Sequence, residues 1–195
     1  HHPALPYHEI GAFIKRLRER NGTAAVALEF LILTSARSGE VRGATWQEFD
    51  LKKREWIIPA ERMKARKEHR VPLSDRATEI LTEIPKGHGD EIVFKAARGG
   101  VLSDMTFGAV LKRMEVPVTT HGFRSTFRDW AGETTAFSKE VIEHALAHQL
   151  KDKAEAAYAR GTLMEKRRKL MAAWAEYCER ATDAPGAIIP IRSSQ

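Results

Sequence analysis

Cysteine is nearly absent from this sequence. One residue of 195, Cys178, carries a thiol, which excludes an intramolecular disulfide and any cysteine-rich zinc module. A fold that needs no disulfide suits a reducing compartment, so a cytoplasmic location is expected. Long apolar runs are also missing. The longest, Ala24 to Leu33, is interrupted by Glu29 and falls well short of the roughly 18 residues that a membrane span requires. The opening His1-His2-Pro3 has no basic-then-apolar pattern, so no secretory signal is read there. No repeat with a period of about 20–50 residues is present, which excludes a solenoid. Metal-binding patterns are lacking too. His144 and His148 are four apart, but Ala145 stands where a metalloprotease helix needs glutamate. No carboxylate cluster suited to a two-metal site occurs either. Neither a metal nor a cofactor is expected.

What is present is positive charge. Thirty-two Lys and Arg against 26 Asp and Glu leave a formal charge of +6, and the pI is near 9.5. That suits a polyanionic partner such as nucleic acid, although charge alone is weak evidence for one. The chain divides into recognisable elements. Ile10, Phe13, Ile14 and Leu17 form the stripe of an amphipathic helix over Tyr7–Arg20, stopped at Asn21-Gly22. Thr23 can cap a more buried helix through Ala24–Thr34, and Ser38 can cap a short one containing Glu40 and Val41. Trp46–Phe49, Arg54–Pro59 and His69–Leu73 read as three strands of a small antiparallel meander. Ser74 can cap a helix with the stripe Ala77, Ile80, Leu81, Ile84, and Ser103 one running to Met114. After Pro117 further helices are predicted over Gly122–Glu133, Lys139–Ala147, Lys153–Ala159 and Glu165–Ala181. Residues 185–195 form an irregular tail. The fold class is mainly α with a small antiparallel β-sheet, in one domain over 1–195.

Four local features carry chemistry. Arg37 and Glu40 read either as a surface ion pair, worth a few tenths of a kcal/mol, or as a cleft arginine whose guanidinium Glu40 holds. Between the second and third strands lie Arg62, Lys64, Arg66, Lys67 and Arg70. They suit a solvated hairpin or an arm laid along a phosphate backbone. His121 and Arg124 are three residues apart at a helix start, a favourable place for an anion. His148 is followed by Tyr158, one of three tyrosines.

Together and in this order, Arg37 with Glu40, Lys64, His121-Gly122-Phe123-Arg124, His148 and Tyr158 resemble the signature of the tyrosine recombinases, the phage and prophage integrases. The resemblance covers about residues 5 to 180, and the His-Gly-Phe-Arg and Ala-Ala-Tyr segments are similar to those of prophage and genomic-island integrases. It departs in one spacing, ten residues from His148 to Tyr158, one wider than is common in the family. Lys67 also competes with Lys64 for the lysine role.

The resemblance implies an integrase catalytic-domain fold and cleavage of duplex DNA through a covalent 3′-phosphotyrosine. Arg37, Arg124 and His148 would hold the phosphate, Tyr158 would attack it, His121 would take the phenolic proton, and Lys64 would protonate the leaving oxygen. Glu40 would orient Arg37, and Arg62, Arg66, Lys67 and Arg70 would contact DNA. The partners implied are attachment-site DNA, three further copies in a homotetramer joined through C-terminal segments, and accessory bending or directionality factors, all within a bacterial nucleoid. The family's N-terminal DNA-binding domains are expected to be absent from 1–195. The tail's apolar 187–191 segment is expected to dock on an edge of the small sheet. A type IB topoisomerase-like nicking-closing enzyme and a non-catalytic DNA-binding module are the alternatives.

Overall fold

The amphipathic stripe at the start of the chain forms α1 (Ile10–Arg18), entered through a 3-10 turn at Tyr7–Glu9. Ile10, Phe13, Ile14 and Leu17 are all buried, and full burial of such side chains contributes about 1.5–3 kcal/mol each. The structure is a computed structural model describing residues 3–148 and 160–180. The next helix, α2 (Thr23–Thr34), is enclosed on nearly every side, so its sequence shows no polar face. Glu29 lies within this apolar run and would be costly unpaired. Arg18 meets its carboxylate at 2.6 and 2.9 Å and Arg76 at 2.9 Å. Helix α2 ends at Ser35, whose φ of 50° turns the chain into α3 (Ser38–Arg42).

The sheet has three antiparallel strands in the order β1 (Phe49–Asp50), β2 (Glu55–Ile58), β3 (His69–Pro72). Trp56 lies opposite Val71 and Ile58 opposite His69, so these four side chains share one face. Trp56 stacks on Phe49 at 5.5 Å and meets Phe30 of α2 at 5.6 Å, which seats the sheet on the helices. The expected strand over Trp46–Phe49 is for the most part a 3-10 turn, Trp46–Glu48. Its backbone finds partners in a loop instead: the Trp46 and Gln47 amides donate to Glu91 and Gly89.

Beyond the sheet come α4 (Asp75–Glu83), α5 (Thr106–Arg113), α6 (Gly122–Thr134), α7 (Lys139–Ala145) and α8 (Arg160–Glu179). Ser74 caps α4 as expected, accepting from the Ala77 amide at 3.3 Å. Two other expected caps are displaced. Arg37 occupies the N-cap of α3 and Ser38 is its first residue. Helix α5 starts at Thr106, after a turn closed by the Thr106 amide on the Ser103 carbonyl. Helix α7 stops at Ala145, two residues early, because Ala147 turns left-handed with a φ of 50°.

Helix α8 packs on its own domain. Leu170, Met171, Trp174 and Cys178 are buried, and Trp174 donates from Nε1 to the Ile32 carbonyl at 2.8 Å. The helix starts earlier than expected because it admits Gly161 and Thr162, both weak helix formers. The predicted helix Lys153–Ala159 and the docking of 187–191 lie outside the described residues.

Candidate active site

Three elements bring the first arginine into place. The left-handed turn at Ser35 redirects the chain, Arg37 caps α3, and Glu40 sits at the third helical position. The Glu40 carboxylate accepts from the Arg37 backbone amide at 2.8 Å and from Arg37 Nη1 at 2.8 Å. One buried carboxylate thus closes the helix end and fixes the guanidinium that leaves it, the second half of a capping box put to an extra use.

Arg124 enters from α6 and is only 5% exposed. Its guanidinium donates to the Ser35 carbonyl and, at 2.6 Å, to the Leu146 carbonyl. Both acceptors belong to left-handed turns, at Ser35 itself and at Ala147 just after Leu146. Backbone conformations of this kind cost about 1–3 kcal/mol and persist where the surroundings enforce them. Burial lowers the Arg124 pKa to about 10, with the Arg37 charge as the second influence, while Glu40 and Glu143 oppose the shift. The group is therefore still a cation at neutral pH. Two neutral carbonyls aim it without neutralising it, and among the described residues it makes no ion pair.

His148 follows α7. Its Nε2 lies 3.3 Å from Arg124 Nη2, and its Nδ1 lies 2.5 Å from Glu143 Oε2. These contacts suit an Nδ1–H donated to the carboxylate, with Nε2 turned toward the arginine. Glu143 also holds Arg128 Nε at 3.1 Å. Burial would raise the Glu143 carboxyl, but the hydrogen bond from His148 and the Arg128 charge outweigh it and hold the pKa below the ordinary value.

The structure brings Arg37, Glu40, Arg124 and His148 together. His121 stands at the N-cap of α6, exposed, with its carbonyl accepting from the Arg124 amide. Lys64, Arg66 and Lys67 are exposed on the connection between β2 and β3. The Lys67 charge is felt at His144 of α7, whose pKa is lowered first by burial, then by Arg167 and Lys67. Arg62, expected on DNA phosphate, is engaged internally: its guanidinium holds the Glu48 carboxylate and the Glu40 carbonyl. Arg70, also expected on DNA, pairs with Glu68 at 3.0 Å while remaining half exposed. Tyr158 lies outside the described residues. The other two tyrosines are committed elsewhere. Tyr7 is hydrogen-bonded to Glu133, which raises its pKa, and Tyr177 stacks on Trp174 at 6.1 Å, its pKa raised by burial.

Three residues at the site escaped sequence reasoning. Glu143 had no motif to mark it. His69 shares the buried face of β3 with Val71, a period-two signal that could have flagged it. Burial, followed by the charges of Arg167, Arg37, His144 and Arg124, pushes its pKa down to about 3. Arg167 stands on the apolar stripe of α8 with Leu163, Leu170, Met171 and Trp174, and an arginine at such a position is itself a signal.

The chain is similar to known proteins in both sequence and fold. The sequence model of the phage integrase family matches residues 5–184. The integrase of Enterobacteria phage P4 is 34% identical over 201 residues, spanning 92% of this chain and 46% of that protein. Prophage integrase IntA of Escherichia coli K12 is 37% identical over 77% of this chain and 37% of its own length. The integrase of Shigella phage Sf6 is 32% identical over 91% of this chain and 48% of its own. The chain thus spans about half the length, or less, of these relatives. Among solved structures, the integrase from mycobacterium phage Brujita superposes with a TM-score of 0.68 at 19% identity, covering 89% of this chain and 59% of that one. The Tn1549 transposon integrase, solved in complex with circular intermediate DNA, gives 0.56 at 15% identity, covering 81% and 66%. These two likenesses establish the fold, mainly α with a small antiparallel sheet, and the sequence matches establish the lineage: the chain belongs to the phage integrase family.

Proposed function

We propose that this protein is the catalytic domain of a site-specific DNA recombinase that breaks and rejoins strands through a covalent 3′-phosphotyrosine. The observation that carries this reading is Arg124: a buried cation, aimed by two carbonyls, beside His148 and within electrostatic reach of Arg37. A phosphodiester in the transition state needs such donors, placed in advance and still charged. Kinship with proteins named integrases, and a fold shared with one solved on DNA, support the same reading.

In this scheme Arg37 and Arg124 hold the non-bridging oxygens and His148 adds a third donor. Tyr158 is the nucleophile, the role its place in the family's signature implies, while Tyr7 and Tyr177 are engaged elsewhere and have raised pKa values. Its oxygen forms the bond to phosphorus, the bond to the 5′-oxygen breaks, and His121 takes the phenolic proton. Lys64 delivers a proton to the departing oxygen, with Lys67 the alternative on the same hairpin. Religation reverses these transfers, so the phosphotyrosine conserves the energy of the broken bond. Glu40 orients Arg37, and Arg66, Lys67 and Arg70 contact the DNA backbone. The partners are duplex attachment sites, further copies in a tetramer, and accessory factors, in the bacterial cytoplasm at the nucleoid. Among the described residues no helix is long and apolar enough to cross a membrane.

The test is a duplex nicked beside the cleavage site, so that a cleaved end diffuses away and traps the intermediate. The protein should form a denaturant-resistant adduct with it in EDTA, and Arg124→Met should lose the adduct. Strict dependence on added magnesium, or full adduct formation by Arg124→Met, would refute the reading.

A further inference from the structure

Arg167, among the described residues, is a buried cation with one of its donors left unpaired. It is 6% exposed, and burial lowers its pKa to about 10. It makes no salt bridge among the described residues. Its guanidinium donates to one neutral acceptor, the carbonyl of Arg70, and its Nε is buried without a hydrogen-bond partner. Burying a cation on a single carbonyl is unfavourable. An apolar side chain of similar length would pack in such a place at no loss, and often with a gain, of stability. A buried unsatisfied donor in a native fold calls for an explanation beyond stability.

Anchoring α8 is not that explanation, because Arg168 already does it. Arg168 bonds to the Glu55 carboxylate and to the Lys53 carbonyl at 3.0 Å. Those contacts fix the helix to β2 and the turn before it. What Arg167 adds is a grip on β3, one of the two edge strands of the sheet. Arg70 directly follows His69, where the chain returns from the hairpin that bears Lys64 and Lys67. The helix thus holds both legs of that hairpin with two consecutive arginines, and only the leg returning from the lysines is held by the residue with an unfavourable burial.

We propose that Arg167 is a positioning residue for the lysine hairpin: from α8 it fixes β3 at Arg70 so that the hairpin presents its lysine to the leaving oxygen. The inference rests on the reading that a hairpin lysine is the general acid. Its signature is chemical. Loss of Arg167 should resemble loss of that lysine, whereas damage to the phosphate pocket or to the fold should not.

The experiment uses two substrates, an ordinary duplex and one with sulfur at the bridging 5′ position, a leaving group that needs no proton. Adduct formation is measured for Lys64→Ala, Lys67→Ala, Arg167→Met, Arg167→Lys and Arg168→Met. One lysine variant should lose on the order of 100-fold or more on the oxygen substrate and recover on the sulfur one, as general acids do. Arg167→Met should lose on the order of 10- to 100-fold, the scale of a small misplacement, and recover equally. Arg167→Lys, which keeps the charge but not the full reach, should lose a few-fold on the oxygen substrate alone and provides a folded variant should Arg167→Met be unstable. Arg168→Met should lose thermal stability with equal effects on both substrates. If a lysine variant is rescued but neither Arg167 variant shows an oxygen-specific defect, the positioning role is wrong while the general-acid reading stands. If neither lysine variant is rescued, the general-acid reading fails and the inference falls with it.

Discussion

Glu143 and His148 are joined by a 2.5 Å contact between Oε2 and Nδ1, which leaves the other imidazole nitrogen facing Arg124 at 3.3 Å. The carboxylate fixes the ring's orientation and keeps Nε2 turned toward the place where Arg124 would hold a phosphate. Glu143→Gln keeps the shape and removes the charge. It should lower adduct formation by about tenfold. The check is the single-turnover cleavage rate at neutral pH, and an unchanged rate would separate Glu143 from the chemistry.

Glu40 has two duties that substitutions can divide. Glu40→Ala removes the acceptor for the Arg37 amide as well as its guanidinium partner, and should cost about 1 kcal/mol of stability, the scale of a lost helix cap, along with cleavage. Glu40→Gln keeps an oxygen for the amide, so it should retain most of the stability and lose cleavage more selectively. Denaturant unfolding paired with adduct assays distinguishes the two effects.

The candidate site was legible in the sequence wherever its residues are bound to a local element. Arg37 with Glu40 and His121 with Arg124 each span one helical turn, and the structure puts each pair at a helix start. The stripes of α1 and α4 were legible for the same reason. Contacts between distant segments were not. Arg167 reaches Arg70 across 97 residues, and Arg62 is drawn from the surface to Glu48 and the Glu40 carbonyl. Trp46 has the aromatic character of a strand, yet its backbone pairs with the loop at Glu91.

His69 makes stability depend on pH. Its folded pKa of about 3 lies below the ordinary 6.5, so the unfolded chain binds the proton first. The native state is unaffected above about pH 6.5 and loses stability as pH falls from there toward 3, at a slope of at most about 1.4 kcal/mol per pH unit. His69→Gln should flatten that decline. Thermal midpoints between pH 7 and 4 for both proteins give the answer, and parallel curves would contradict it.

Gly122 opens α6 where a Cβ would lie 2.1 Å from the Pro3 carbonyl oxygen and 2.9 Å from Ala4 Cα. Backbone atoms cannot yield as a flexible side-chain tip can. Gly122→Ala should therefore destabilise by about 1–3 kcal/mol, as overpacking does, and move the helix that carries Arg124. Thermal unfolding with adduct formation tests this, and a wild-type melting temperature would show that the amino-terminal segment does not lie against α6 in solution.

One tyrosine, Tyr158, is proposed to form the bond to DNA, and locating the phosphotyrosine decides whether it does. The denaturant-resistant adduct should be digested with trypsin and nuclease and the modified peptide sequenced by mass spectrometry. The nucleotide should be attached to Tyr158, and Tyr158→Phe should form no adduct on either the oxygen or the sulfur substrate. A nucleotide on Tyr7, Tyr177 or any other side chain, or an adduct that persists in Tyr158→Phe, would contradict the account.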